Sequence, residues 1–175
     1  MAQKYLYILF ICVLPLGAQV LISPVDAMKQ TYGDKSTIVK KNILLTKAQA
    51  QAVQTEAKVK LDTKIFRTFK ATKGTKLLGF GILINKKIRS KNGVVLYFIS
   101  SDSLLLAIEV IAFNEPLEYL PSKQWNAQFQ EIPTTKMLRV SKEIPTITGA
   151  TLSARALVDG SRLAFAIYNK ILKEN

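Results

Sequence analysis

Hydrophobic and polar positions divide the chain into stretches of different period. Lys4 is followed by an unbroken apolar run, Tyr5 to Leu14 (YLYILFICVL), which Pro15 and Gly17 end. Val25-Asp26-Ala27 then offers the small or short residues a signal peptidase accepts, so residues 1–27 read as a secretory signal peptide. The apolar character from Tyr5 to Ile22 is nearly long enough to span a bilayer, which makes a retained N-terminal anchor the rival reading. Residues 28–42 are polar and mixed and read as a lead-in or short linker. Lys47 to Lys58 (KAQAQAVQTEAK) consists of strong helix formers behind Thr46, a good N-cap.

The middle of the chain has a strand period. Ile65 to Ala71 alternates in part, and Gly74 marks the turn after it. Leu77 to Ile88, Val94 to Ser100 and Leu104 to Phe113 are apolar, β-branched and aromatic runs. Asn92-Gly93 predicts the first hairpin turn between them, and Ser101-Asp102-Ser103 the second. Three strands joined by short turns form an antiparallel meander. Pro116 closes it, Ser122 caps a short helix carrying Trp125 and Phe129, and Met137 to Val140 is a candidate edge strand. From Thr148 the period becomes helical, with Leu152, Ala156, Leu157, Gly160, Leu163, Ala164, Ile167 and Ile171 on one stripe. The expected fold class is therefore α+β, an antiparallel meander sheet flanked by two or three helices.

Composition removes most catalytic chemistry. There is no histidine, and the single cysteine, Cys12, lies inside the apolar N-terminal run. A mature chain of this kind has no disulfide, no thiol nucleophile, no Ser-His-Asp triad and none of the common zinc sites. The net charge of +13 favours anionic ligands or surfaces. Nucleic-acid binding would rest on that charge alone. It conflicts with an export signal, and the lysines are scattered with no block of five or six, so no nucleic acid is expected.

The segment Thr146 to Ser153 (TITGATLS) is a hydroxyl-rich turn directly before the long C-terminal helix. A helix N-terminus presents free N–H groups and the positive end of the dipole, and so suits a phosphate. Gly149 permits close backbone approach, with Thr148 and Thr151 beside it. The plainer alternative is an ordinary cap, in which Thr148 or Thr151 satisfies one N–H.

Thr148-Gly149-Ala150-Thr151-Leu152-Ser153 resembles the motif of the FMN-binding domain shared by the C subunit of sodium-pumping NADH:quinone oxidoreductase, the G subunit of Rnf-type complexes and small exported relatives. The likeness runs from about Ile43 to Leu172. It takes in Leu45-Thr46 before a Gln-rich helix, the Ser101-Asp102-Ser103 turn, the Glu115-Pro116 pair and the aromatic helix after it, which assigns residues 43–175 to such a domain. The resemblance implies FMN joined to Thr151 by a phosphoester, put there by a flavin transferase, with Thr148, Gly149, Ala150, Leu152, Ser153 and Glu115 at the cofactor. The residues alone leave Glu115 open between a place near the flavin and a solvated turn carboxylate. Arg155 is within reach of the phosphate or simply solvated. The family usually has aspartate six residues before the modified threonine, where this chain has Pro145.

The expected function is extracytoplasmic electron transfer, in the periplasm or on the outer face of the cytoplasmic membrane. It would exchange electrons with a membrane redox protein or reductase, with possible association with the membrane surface and no catalytic residues of its own. The alternative from another class is a flavin-free exported binding module for anionic envelope polymers or lipids.

Overall fold

Thr46 and Gln49 show how directly this chain encodes its local structure. The computed structural model describes residues 19–173, and in it the Thr46 hydroxyl accepts from the Gln49 N–H while the Gln49 side chain accepts from the Thr46 N–H. This reciprocal capping box starts a helix over Lys47–Ala57 where the sequence predicts one. The apolar run Tyr5 to Leu14 lies outside the described residues, and of the signal or anchor expected over residues 1–27 only 19–27 are described, as β1 and the start of α1.

The elements in chain order are β1 (Gln19–Val20), α1 (Pro24–Tyr32), β2 (Thr37–Leu44), α2 (Lys47–Ala57), β3 (Ile65–Lys73), β4 (Lys76–Lys87), β5 (Asn92–Ser100) and β6 (Leu104–Phe113). A 3-10 turn (Leu117–Tyr119), α3 (Lys123–Asn126), β7 (Ile132–Pro133) and α4 (Thr151–Ile167) follow, and α4 ends in a π-helical turn over Tyr168–Leu172. The strands form one antiparallel sheet in the order β1-β6-β5-β4-β3-β2, with the short β7 beside β6. From β2 to β6 each strand pairs with its successor, so the α+β meander read from the pattern is the fold, enlarged by strands at both edges.

The sheet separates two apolar layers. On one face α2 and α4 cover Phe80, Ile82, Ile84, Val95, Tyr97, Ile99 and Ile108. On the other, Ala27 and Met28 of α1 pack with Phe69, Ala71, Leu96, Phe98 and Ile111. Both faces are therefore excluded from water over the central strands, which explains their near-continuous apolar runs. Among the described residues no helix is long and apolar enough to cross a membrane.

Three expectations are corrected. The supposed lead-in of residues 28–42 contains most of α1 and β2. Ser23 caps α1 by accepting from the Asp26 N–H at 3.3 Å, Pro24 opens the helix, and Met28 is wholly buried on the sheet. β2 pairs with β3 from Thr37 opposite Thr72 to Leu44 opposite Ile65. As an edge strand most of its side chains face water, so its sequence shows no apolar alternation. The first hairpin turns over Ile88 to Lys91, and Asn92 and Gly93 already pair with Lys87 and Lys86. Glu115 holds that turn, a long-range cause that no local signal carries. Met137 to Val140 is not a strand; Val140 makes one isolated bridge to Ile144.

Candidate functional site

The loop before α4 is fixed at its start and bare at its end. Trp125, buried on α3, donates from Nε1 to the Pro145 carbonyl at 3.1 Å, and Ser122 caps α3 by accepting from the Trp125 N–H at 3.1 Å. Five residues later the Ala150 N–H reaches the Ile147 carbonyl at 3.0 Å, closing a turn around Gly149. Gly149 has φ +77°, a conformation that glycine adopts without steric cost, and a Cβ built there would meet nothing within 4 Å. The backbone at Gly149 thus faces open space.

Ala150 is the N-cap of α4, so no side-chain cap bond forms. The first helical bond runs from the Ala154 N–H to the Ala150 carbonyl at 3.1 Å. The N–H groups of Thr151, Leu152 and Ser153 have no hydrogen-bond partner among the described residues. The ordinary-cap alternative for Thr148 and Thr151 is thereby removed. Thr148 is exposed and makes no bond, while the half-buried Thr151 hydroxyl turns back to the Ile147 carbonyl at 3.5 Å, the outer limit for such a contact. Two unclaimed donors on residues with exposed surface, Thr151 and Leu152, the positive end of a 17-residue helix and a poorly bonded hydroxyl meet at one point, with the Ser153 N–H beneath them. Leu152 is 44% exposed beside them, an apolar surface next to the polar one.

Ser153 and Glu115 belong to the support beneath this end. Ser153 is fully buried and donates from Oγ to the Tyr119 carbonyl at 2.7 Å, tying the first turn of α4 to the 3-10 turn. The Tyr119 ring lies 4.0 Å below the Arg89 guanidinium, a cation–π contact. Arg89 sits in the hairpin turn that Glu115 organises: the carboxylate accepts from the N–H groups of Arg89, Ser90 and Lys91 at 3.1, 2.6 and 2.7 Å, and from the Ser90 hydroxyl at 3.3 Å. Glu115 is therefore buried and fully engaged, and the solvated-carboxylate alternative is corrected. Of the seven motif and partner residues expected at a cofactor, Thr148, Gly149, Ala150, Thr151 and Leu152 are contiguous at the helix end. Ser153 follows them in the first turn with its side chain turned inward to the Tyr119 carbonyl, and Glu115 reaches the helix end through Arg89 and Tyr119. Those last two escape sequence reasoning, because a lone tyrosine and a lone arginine in loops carry no periodic signal.

The charges around the loop favour an anion. Arg155 is exposed one turn into α4. Glu143, the acid nearest to Pro145 in sequence, is committed to Arg139 at 3.0 Å, which holds its carboxyl below the usual range. Tyr97, Phe98, Trp125 and Phe129 are core residues, each buried.

The Lys91, Ser90 and Arg89 N–H groups, with Lys91 foremost, also lower the affinity of Glu115 for its proton. A carboxyl whose folded value is depressed stabilises the fold fully above its unfolded value, near 4.3, and loses that contribution as pH falls through the folded value. Glu115→Gln is expected to lower the urea midpoint at pH 7, with the gap to the parent protein closing as pH drops below about 4. A gap that stays constant with pH would mean that the carboxylate charge is not what holds the turn.

No protein-family model matches the chain, and no curated protein matches it. The fold class stands on the sheet topology alone.

Proposed function

We propose that this protein is an exported electron-transfer flavoprotein whose FMN is attached through its phosphate to Thr151 Oγ. The observation that carries the proposal is the uncapped start of α4, where the Thr151, Leu152 and Ser153 N–H groups lack partners beside an open Gly149. The donor set fits the group. A phosphodiester retains one negative charge, which unpaired N–H groups at the dipole's positive end offset, with Arg155 exposed one turn further along α4. FMN, when attached, supplies one- and two-electron chemistry through its ring.

The chain's own residues then act as holders. Thr151 Oγ would provide the esterified oxygen, giving up its proton and its weak bond to the Ile147 carbonyl while the phosphate gives up a hydroxyl, one water in all. Gly149 leaves room for the phosphate oxygens over the backbone. Ser153, fastened to Tyr119, keeps the first turn of α4 in place, and Glu115 keeps Arg89 over Tyr119. Leu152 offers an apolar contact outside the turn. Covalent attachment suits a carrier in a compartment where free FMN is scarce. Partners of this kind are a flavin transferase for maturation and a membrane redox protein or reductase for electron exchange.

Expression with a flavin transferase and export tests the proposal. The purified protein is expected to be yellow, to keep its flavin absorbance in the supernatant-free protein fraction after denaturation and precipitation, and to bleach reversibly with dithionite. A colourless protein would remove the flavin, and with it electron transfer.

A further inference from the structure

A second polar cleft lies elsewhere on α4. Arg162, on its wall, is eleven residues beyond Thr151, roughly 16 Å along the helix. The cleft has a volume of about 230 Å3 and opens between α2, the C-terminal half of α4 and residues 134–137. One wall is internally satisfied. Asn169 donates to Glu56 Oε1 at 2.9 Å and to the Thr134 carbonyl at 3.2 Å, and its own oxygen accepts from the Thr134 hydroxyl at 2.9 Å. Glu56 also pairs with Lys170 at 3.1 Å.

The opposite wall has donors without acceptors. Arg162 spends Nη2 on the Lys58 carbonyl at 3.1 Å and on Asp159 at 3.2 Å, yet its Nε is buried with no partner. Lys136 makes no ion pair and the Thr135 hydroxyl makes no bond among the described residues, and both line the cleft. The Nε is closed to the cleft as well as to solvent, so the donors that meet an incoming group are the exposed Lys136 ammonium and Thr135 hydroxyl, with the Arg162 charge behind them, and these suit an anionic acceptor. Met137, Phe165 and Ala166 supply apolar lining. The volume is below the 300–1,000 Å3 or so of drug-sized pockets.

We infer that this cleft binds a small monocarboxylate, with Lys136 and Thr135 on the carboxylate, the Arg162 charge on the same wall, and a short hydrocarbon body against Phe165 and Met137. The Glu56 carboxylate on the facing wall disfavours a multiply charged ion such as phosphate. This site is independent of flavin attachment.

A titration of the flavin-free 15N-labelled protein with sodium butyrate, followed by amide shifts, tests it. Saturable shifts at Thr135, Lys136, Phe165 and Asn169 are expected, with butyramide at least about tenfold weaker for want of the charge-assisted bonds. Because Arg162 also fastens Lys58, exposed Lys136 carries the mutational test. Lys136→Ala is expected to weaken butyrate binding about tenfold, and Thr135→Val to weaken it less, with both folds intact. The inference is overturned by the absence of saturable shifts up to about 10 mM, ten times a millimolar Kd. Equal binding of the amide, tighter binding of inorganic phosphate, or unchanged affinity in Lys136→Ala would overturn it too.

Discussion

Gly160→Ala is expected to destabilise this protein by about 2 kcal/mol, although alanine is the better helix former by about 1 kcal/mol. Gly160 lies on the buried stripe of α4, directly over the end of Tyr97. A Cβ built there falls onto the Tyr97 hydroxyl oxygen and comes within 2.8 Å of the ring carbon bearing it. Tyr97 is 1% exposed and cannot swing away, and its hydroxyl donates to the Leu157 carbonyl at 3.0 Å, one turn before Gly160. Burial pushes this hydroxyl's pKa well above its ordinary value, with Asp159 adding to the effect, so it stays a donor throughout the accessible pH range. The substitution forces either α4 off the sheet or the hydroxyl off Leu157, and both losses exceed the gain in propensity. At this chain length the melting temperature should fall by roughly 4–8 °C. Combining it with Tyr97→Phe, which removes the obstructing oxygen, should cost less than the sum of the two single changes. Additive costs would show that the close approach is not what makes glycine necessary.

A chain beginning at Met28 is expected to lose still more. Processing after Ala27, as the small residues there suggest, would cut through α1 and remove β1, the Ser23 cap and the first helical turn. It would also place a charged amino group on Met28, which is wholly buried against Gly81 and Leu96. The rest of α1 is attached to the sheet by Tyr32, whose hydroxyl is shared between the Phe80 and Ile99 carbonyls at 3.0 and 2.9 Å. Losing the packing of one buried methionine alone costs about 2–5 kcal/mol. The shortened protein should therefore melt at least about 10 °C below a chain starting at Gln19 and expose apolar surface to a hydrophobic dye. N-terminal sequencing of exported protein is expected to find Gln19 to Tyr32 retained. A stable protein starting at Met28 would show that α1 is dispensable.

These two cases also show what the sequence could and could not disclose. The meander was legible because both faces of β4, β5 and β6 are covered, which makes their apolar runs long and unmistakable. The stripe on α4 and the Thr46 cap were legible because their partners lie within a turn. The cover on the second face was not. α1 is nine residues of mixed polarity, only two of them buried, and a signal-like sequence precedes it. β2 was hidden for the opposite reason, since an edge strand needs few apolar residues to keep its place. The hairpin was misplaced by three residues because Glu115, 24 residues beyond Lys91, sets the turn.

The candidate site divides in the same way. Thr148 to Ser153 announced themselves by residue type at a helix start. That Ala150 would be the N-cap, leaving both threonines free of capping, depends on where the turn around Gly149 closes. The Tyr119 and Arg89 support depends on contacts between distant loops.

The phosphoester at Thr151 is tested most directly by intact mass. Protein exported from cells that also express a flavin transferase should be heavier than the polypeptide by one FMN less one water, and Thr151→Ala prepared in parallel should have the bare mass. A bare mass for the unsubstituted protein, or an equal gain in Thr151→Ala, would contradict attachment at this residue.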